Sequence, residues 1–343
     1  MNQFKVGIAG YGVVGKRRHH FINLNPMLNV VSVCDARMKD GKLDREDVKV
    51  YNNYSNMISN EKLDILFVCL TNDVAAEATI LGLEKGCHVF CEKPPGRNLQ
   101  EVTNVIATEK LHPELKLKYG FNHRYHDSVR EALRIVQSGQ FGKIINIRGV
   151  YGKSAIVNVE NGWRAKREIA GGGILLDQGI HMVDLIRLFA GDIVDIKSYV
   201  SNSYWNLDVE DNAFALMKSK SGIIIQFQST ATEWRHRFNL QINLEKGTIV
   251  LSGILSGSKS YGQETLTIFP QDLESGGNPK TEMINYLEDN SWRDEINEFA
   301  KSINENLPIS TGSSSDAYET LKLVYRIYYE DKEWRDKYKI TIE

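Results

Sequence analysis

The feature that most limits how this chain can fold is Gly10-Tyr11-Gly12-Val13-Val14-Gly15. This GxGxxG run follows the apolar stretch Phe4 to Ala9 and opens a helix-like stretch reaching about Leu24. In a strand–turn–helix unit the first glycine permits a tight turn, the second lets backbone approach a pyrophosphate, and the third lets helix and strand pack closely. The helix N-terminus adds amide donors and a dipole that favours an anion. Alone, such a run is as often a turn as a site. Asp35 changes that. It ends a second strand-like run, Val30 to Cys34, and lies 20 residues beyond Gly15, where a carboxylate can bond the adenosine ribose hydroxyls. The competing reading is a solvated Asp at a strand end. An acid there repels a ribose 2′-phosphate, which favours NAD over NADP, although Arg37 could instead grip that phosphate.

The same alternation continues. Residues 36–50 are polar and give no clear element. Tyr54 to Ser59 reads as a short helix, Asp64 to Leu70 as a buried strand, and Asp73 to Lys85 as a helix stopped by Gly86. His88 to Cys91 is the next strand, followed by a helix from about Leu99 to Lys110 and a strand from Leu115 to Gly120. Strands alternating with helices imply βαβ units and a parallel sheet.

Size and charge narrow the function. A chain of 343 residues has room for two domains, and 42 Lys and Arg against 44 Asp and Glu leave a formal charge of -2. That balance offers no basic surface for nucleic acid. The N-terminus lacks the zones of a signal peptide, and no run approaches the roughly 18 apolar residues of a membrane helix. Cys34, Cys69, Cys87 and Cys91 lack paired zinc spacing, so free thiols, no metal and a cytoplasmic location are expected.

After Asn122-His123-Arg124 the pattern changes, which sets the expected domains at 1–123 and 124–343. A helix from about Asp127 to Ser138 leads to a strand, Lys143 to Tyr151. Gly171 to Gly173 then precede an amphipathic helix, about Ile174 to Phe189. Alternating runs follow at Ile193 to Ser203, Asn212 to Lys218, Ile223 to Thr230 and Phe238 to Leu244, and two helices near Trp292 to Glu305 and Ser314 to Glu330 close the chain. In the last strand Phe238, Leu240, Ile242 and Leu244 share one face, while Asn239, Gln241, Asn243 and Glu245 share the other. This is a sheet with one polar face, open to solvent or to a second subunit. The Gly/Ser-rich piece Ser252 to Ser260 reads as a loop.

Two clusters carry candidate chemistry. Glu92-Lys93-Pro94-Pro95 follows a strand of the first sheet, at the carboxyl end where ligands bind in open α/β folds. A lysine there can polarise a hydroxyl or carbonyl or relay a proton, or it can be an ordinary loop lysine. The second cluster is Asp177-Gln178-Gly179-Ile180-His181. Residues four apart on a helix share a face, so Asp177 and His181 can project together, with His181 exchanging a hydroxyl proton and Asp177 orienting it. A helix N-terminal Asp beside a hydrogen-bonded core His is the alternative.

With these motifs in order, the chain resembles the Gfo/Idh/MocA oxidoreductase family. The resemblance rests on the Gly10–Gly15 loop, on Glu92-Lys93-Pro94, and on Gly171-Gly172-Gly173-Ile174-Leu175-Leu176-Asp177-Gln178-Gly179-Ile180-His181. It implies an α/β fold: a Rossmann parallel sheet, then an α/β domain with a large, mostly antiparallel open-faced sheet. It also implies catalysis by Lys93, Asp177 and His181, and subunit pairing through the open sheet as a homodimer or homotetramer. One departure stands out. Thr71-Asn72 is followed by Asp73-Val74-Ala75-Ala76, where the family often has Pro and then His; Thr71 and Asn72 remain cofactor-side candidates together with Glu92 and Lys93. Asn122, Arg124, Tyr151, Trp163 and Arg164 are candidate substrate residues, since a Trp-Arg pair suits a sugar ring with an anionic group. Each could equally be a packing or salt-bridge residue.

The reaction expected is NAD(P)-dependent hydride transfer at a carbinol carbon of a sugar, sugar nucleotide, aminosugar or cyclitol. Hydrolysis of glycosides through transient oxidation and dinucleotide sensing by a non-catalytic regulator are the alternatives, because fold alone does not fix function.

Overall fold

The computed structural model describes residues 3–43, 47–155, 162–256 and 260–342. The chain divides into two compact units. The first comprises Met1–Asn122, Glu168–Gly171 and Trp292–Glu319; the second comprises His123–Arg167, Gly172–Ser291 and Thr320–Glu343.

In the first unit seven strands form one sheet in the order β3-β4-β2-β1-β5-β6-β7. They are β1 (Phe4–Ala9), β2 (Leu28–Cys34), β3 (Gly41–Lys42), β4 (Lys49–Tyr51), β5 (Ile65–Val68), β6 (His88–Glu92) and β7 (Leu117–Gly120). All neighbours are parallel except the short β3 against β4. The helices are α1 (Val13–Ile22), α2 (Tyr54–Asn60), α3 (Asn72–Glu84) and α4 (Leu99–Leu111). Caps explain where two of them start: the Asn56 amide donates to the Asn53 side chain, and the Glu101 amide donates to that of Asn98. Strands β3 and β4 fall in the polar stretch that gave no pattern; three exposed residues in every five conceal a strand from any periodicity argument.

The expected boundary at 123/124 places everything after it in the second domain, yet Trp292–Glu319 groups with the first unit. The reason is apolar packing. Ile296, Phe299, Ala300 and Ile303 join Val6, Ile8, Ile65, Phe67 and Phe90 in one core, and Phe299 meets the Phe67 and Phe90 rings edge-on.

The second unit holds an eight-stranded sheet in the order β15-β14-β13-β12-β8-β11-β10-β9. Its strands are β8 (Ile144–Gly152), β9 (Ile193–Ser201), β10 (Asn212–Ser219), β11 (Ile224–Thr230), β12 (Arg237–Leu244), β13 (Gly247–Ser252), β14 (Glu264–Pro270) and β15 (Glu282–Tyr286). Every pair is antiparallel except β8 with β11. The last three strands extend the alternating pattern beyond the expected run. Residues 257–259 of the expected Ser252–Ser260 loop lie outside the described residues.

Helices α5 (Asp127–Ser138), α6 (Arg167–Ala170), α7 (Ile180–Ala190), α8 (Ser291–Asn304), α9 (Ser314–Glu330) and α10 (Lys332–Tyr338) complete the chain. Gly139 ends α5 in the left-handed region at φ 70°. Where no apolar run of membrane length was expected, the helical stretch Arg167–Ala190 is long and apolar enough by composition, but 83% of its most apolar window is buried, as in a core helix.

One face of this sheet differs from expectation. The outward side of β12 and its neighbours is polar: the Asn243 amide donates to Asn146, and Gln241 and Thr248 donate to Asn243. On the same face toward β9, however, Tyr199 lies opposite Phe214, and Leu216 and Ile224 are also exposed.

Candidate active site

In the first unit the glycine loop is shaped by close approach. Gly10 has φ 92°, and a Cβ there would fall 2.2 Å from the Cys69 carbonyl oxygen. A Cβ on Gly15 would fall 1.9 Å from the Gly10 carbonyl oxygen. Gly12 differs: its nearest neighbour would be an Arg37 nitrogen at 3.8 Å, so its face stays open. Helix α1 begins at Gly12 without a side-chain cap and without an acid in its first turn, as an anion-binding helix end should. These features fit a dinucleotide pyrophosphate. Tyr11 turns its hydroxyl onto His19 Nδ1 at 2.6 Å, while Val13 is exposed at the helix start.

Asp35 follows β2, and its carboxylate is gripped by Arg37, whose Nε and Nη2 donate to the two oxygens at 2.9 Å each. That contact holds the carboxyl below its usual range, against a smaller opposing effect of burial. The two residues weighed as rivals therefore act as one pair.

Thr71 precedes α3 as its N-cap residue. Asn72 is buried, and its amide donates to the Ala170 carbonyl at 2.7 Å, so its side chain serves a structural contact. Glu92 and Lys93 stand at the carboxyl end of β6, the sheet end shared with Gly10 after β1. The Glu92 carboxylate faces Arg18, which donates from Nε at 2.7 Å. Arg18 is fully buried and pairs through Nη2 with Glu92 (2.6 Å) and Glu295 (2.8 Å), its guanidinium lying over the Phe90 and Trp292 rings at 4.4 and 4.3 Å.

Burial pushes the Glu295 carboxyl up to about 7 from an ordinary 4.5, against the attraction of Arg18 and Lys118. A proton held more tightly by the folded state contributes stability that is full below pH 4.5 and lost as pH rises through about 7. Wild-type stability should therefore fall by about 3 kcal/mol across that window relative to Glu295→Gln. Urea midpoints at pH 5, 6, 7 and 8 check this, and parallel pH curves for the two proteins would sink it.

In the second unit the chain enters α7 through a π-wound turn, Leu175–Gly179. A single α-helix over 174–189 was expected; its first turn is instead widened, a feature common at functional sites. Asp177 and His181 therefore do not follow simple α spacing. Gly179 permits the turn to cross β11, since a Cβ would fall 2.6 Å from Ser229 Oγ.

His181 is buried and stacks face to face on His123, with centroids 3.7 Å apart and planes at 12°. His123 Nε2 lies 3.2 Å from the Tyr151 hydroxyl. Burial keeps the Tyr151 phenol protonated well above its usual range, and the nearby Asp177 charge adds to that. The Asp177 carboxylate accepts from Arg164 Nε (3.3 Å) and Gln178 Nε2 (3.1 Å), and the Arg164 guanidinium lies over the Trp163 ring at 4.3 Å. Arg124, expected to meet substrate, forms a two-pronged pair with Asp184 at 2.7 and 2.6 Å, backed by the Thr320 hydroxyl. Its guanidinium is thus committed to the protein.

The structure thus brings His181, Tyr151, Asp177, Trp163 and Arg164 together within the second unit. Asn122 closes the first unit and is buried. Residues 156–161, between the candidate substrate residues Tyr151 and Trp163, lie outside the described residues. Sequence reasoning missed His123, which no periodicity marks, and Arg18 and Glu295, polar residues in helices whose burial only packing reveals. Among the described residues, no group of three or more His, Cys, Asp or Glu is placed to hold a metal ion.

Two sheets of these kinds, with a dinucleotide loop in one and an Asp–His turn in the other, define a two-unit oxidoreductase. The chain belongs to the Gfo/Idh/MocA family: residues 4–120 match the oxidoreductase family model with an NAD-binding Rossmann fold, and residues 129–250 match the GFO/IDH/MocA C-terminal domain. It is similar to D-glucoside 3-dehydrogenase of Escherichia coli (strain K12), at 27% identity over 255 residues, 66% of this chain and 70% of that one. It is similar to myo-inositol 2-dehydrogenase of Thermotoga maritima, at 24% identity with 94% of each chain covered. Levoglucosan dehydrogenase, solved with NADH and L-sorbose, shares the fold at a TM-score of 0.84 and 19% identity, covering 97% of this chain and 98% of that one. Solved neighbours of this fold carry NADH in some cases and NADP in another.

Proposed function

We propose that this protein is an NAD-dependent dehydrogenase of a sugar, sugar nucleotide, aminosugar or cyclitol. The observation that carries this reading is His181, buried and stacked on His123 in the first turn of α7, just after the turn that bears Asp177. A buried, held imidazole is a group that can remove a proton from a hydroxyl. His181 takes the hydroxyl proton, Asp177 orients the imidazole or the hydroxyl, and Lys93 polarises the substrate oxygen. A bound nicotinamide would supply the hydride acceptor or donor for this step. Residues Gly10, Tyr11, Gly12, Val13, Val14, Gly15, Asp35 and Thr71 hold the dinucleotide. Trp163 supports a sugar ring and Arg164 an anionic group, with Tyr151 and Asn122 beside them. The relatives named for glucoside and inositol oxidation support this substrate class.

In this reading residues 1–123 serve dinucleotide binding, and residues 124–343 serve substrate binding, catalysis and oligomerisation. The exposed Tyr199, Phe214, Leu216 and Ile224 support pairing of two or four copies through the open sheet. The four free cysteines support a reducing, cytoplasmic setting.

The test is mass spectrometry of small molecules released on denaturing freshly purified protein, with NAD and NADP titrations and turnover on methyl β-glucoside and myo-inositol. Failure of both dinucleotides to bind sinks the reading. Release of free aglycone without net cofactor reduction points to hydrolysis instead. For cofactor choice, Asp35→Ser should weaken NAD about tenfold and, by freeing Arg37, improve NADP. Unchanged preference in the titration would overturn the role given to Asp35.

A further inference from the structure

Three successive backbone amides, at the entry to the turn bearing Asp177, converge on one residue. The Gly173 amide donates to Glu210 Oε2 (2.7 Å), the Ile174 amide to the Glu210 carbonyl (3.1 Å), and the Leu175 amide to Oε1 (3.0 Å). The Tyr328 hydroxyl also donates to Oε1, at 2.6 Å. Glu210 is fully buried, and Gly173 lies so close that a Cβ would fall 2.1 Å from its carbonyl oxygen. The Asp177 amide in turn donates to the Gly173 carbonyl at 2.9 Å.

The first amides of a helix have no partner within it, and a nearby Ser, Thr, Asp or Asn side chain ordinarily accepts from them. Here the acceptor comes from the segment just before β10, far along the chain. A buried carboxylate accepting several bonds is costly to place and rigid once placed. Ser229 Oγ fixes the next carbonyl, that of Ile174, at 3.2 Å. The turn is therefore held from both its amide and its carbonyl side.

We propose that Glu210 is a positioning residue for the proton-transfer groups: by fixing residues 173–175 it sets where the Asp177 carboxylate and His181 imidazole stand, without touching substrate. The inference rests on the catalytic reading of Asp177 and His181. A neutral amide cannot replace it. One end of a glutamine side chain would present N–H groups to backbone N–H groups and to the Tyr328 hydroxyl.

The experiment uses full-length protein labelled with 13C-histidine, with the His181 resonance assigned from His181→Gln. Glu210→Gln should shift or broaden the His181 signal while those of His20 and His112 stay in place, and Glu210→Asp, which keeps the charge, should do so less. Turnover on methyl β-glucoside or myo-inositol should fall about 10- to 100-fold, with NAD affinity unchanged. An unmoved His181 signal in folded Glu210→Gln overturns the proposal; should that variant fail to fold, the same result in Glu210→Asp or Tyr328→Phe does so. Undiminished turnover in His181→Gln would instead refute the catalytic reading and leave the geometric claim to the spectrum.

Discussion

His181→Ala lowers turnover by about 10²- to 10⁴-fold while dinucleotide affinity changes by no more than about twofold. An imidazole can take up and return a proton, and the His181 ring is stacked on His123. Removing it leaves the glycine loop intact, because Gly10, Gly12 and Gly15 belong to the first unit. Lys93→Met should show the same split, since a methionine keeps the length of the stem and loses the charge proposed to polarise the substrate oxygen. Calorimetric titration with NAD beside steady-state turnover separates the two effects. Loss of dinucleotide binding in both variants would remove these residues from catalysis and place them in cofactor recognition.

Arg18→Met destabilises the protein by about 3–5 kcal/mol. The guanidinium is fully buried, lies over the Phe90 and Trp292 rings, and faces the Glu92 carboxylate and the Glu295 carboxyl, which burial raises to about 7. Removing one partner of a buried ion pair leaves uncompensated charge, which costs far more than the pair itself contributes. Adding Glu92→Gln and Glu295→Gln should recover much of the loss, as coupled neighbours do not add. Urea denaturation of the single and triple variants measures this. A single variant within about 1 kcal/mol of wild type would show that the two carboxylates find other compensation.

The legible parts of the fold were those where apolar period and turn chemistry agree. Phe4 to Ala9, the glycine loop and His88 to Glu92 announce themselves because a parallel strand is apolar throughout and glycines mark its exit. Helices α5 and α9 keep the expected bounds, with α5 ending at the left-handed Gly139. Strands β3, β4 and β15 escaped notice because short or edge strands carry mixed patterns, and the inner strands β13 and β14 were not read either. Motif spacing singles out Lys93, Asp177 and His181 as candidates because chemistry restricts their residue types. Arg124 reads equally as a substrate group or a salt-bridge residue because a sequence shows a charge but not its partner, and Asp184 lies 60 positions away. The π turn and Glu210 were hidden for the same reason, since both are set by contacts remote in sequence.

The distribution of thiols has a practical consequence. All four cysteines lie in the first unit, and burial pushes Cys34 and Cys91 up to about 12 and Cys87 to about 11, with Cys69 raised well above its usual range. The buried thiols of Cys34, Cys87 and Cys91 react with an alkylating reagent only when their surroundings open, whereas Cys69 is partly exposed. The rate of labelling is therefore a built-in clock for the breathing of the Rossmann unit alone, to which the cysteine-free second unit contributes no signal. Bound dinucleotide should slow that clock.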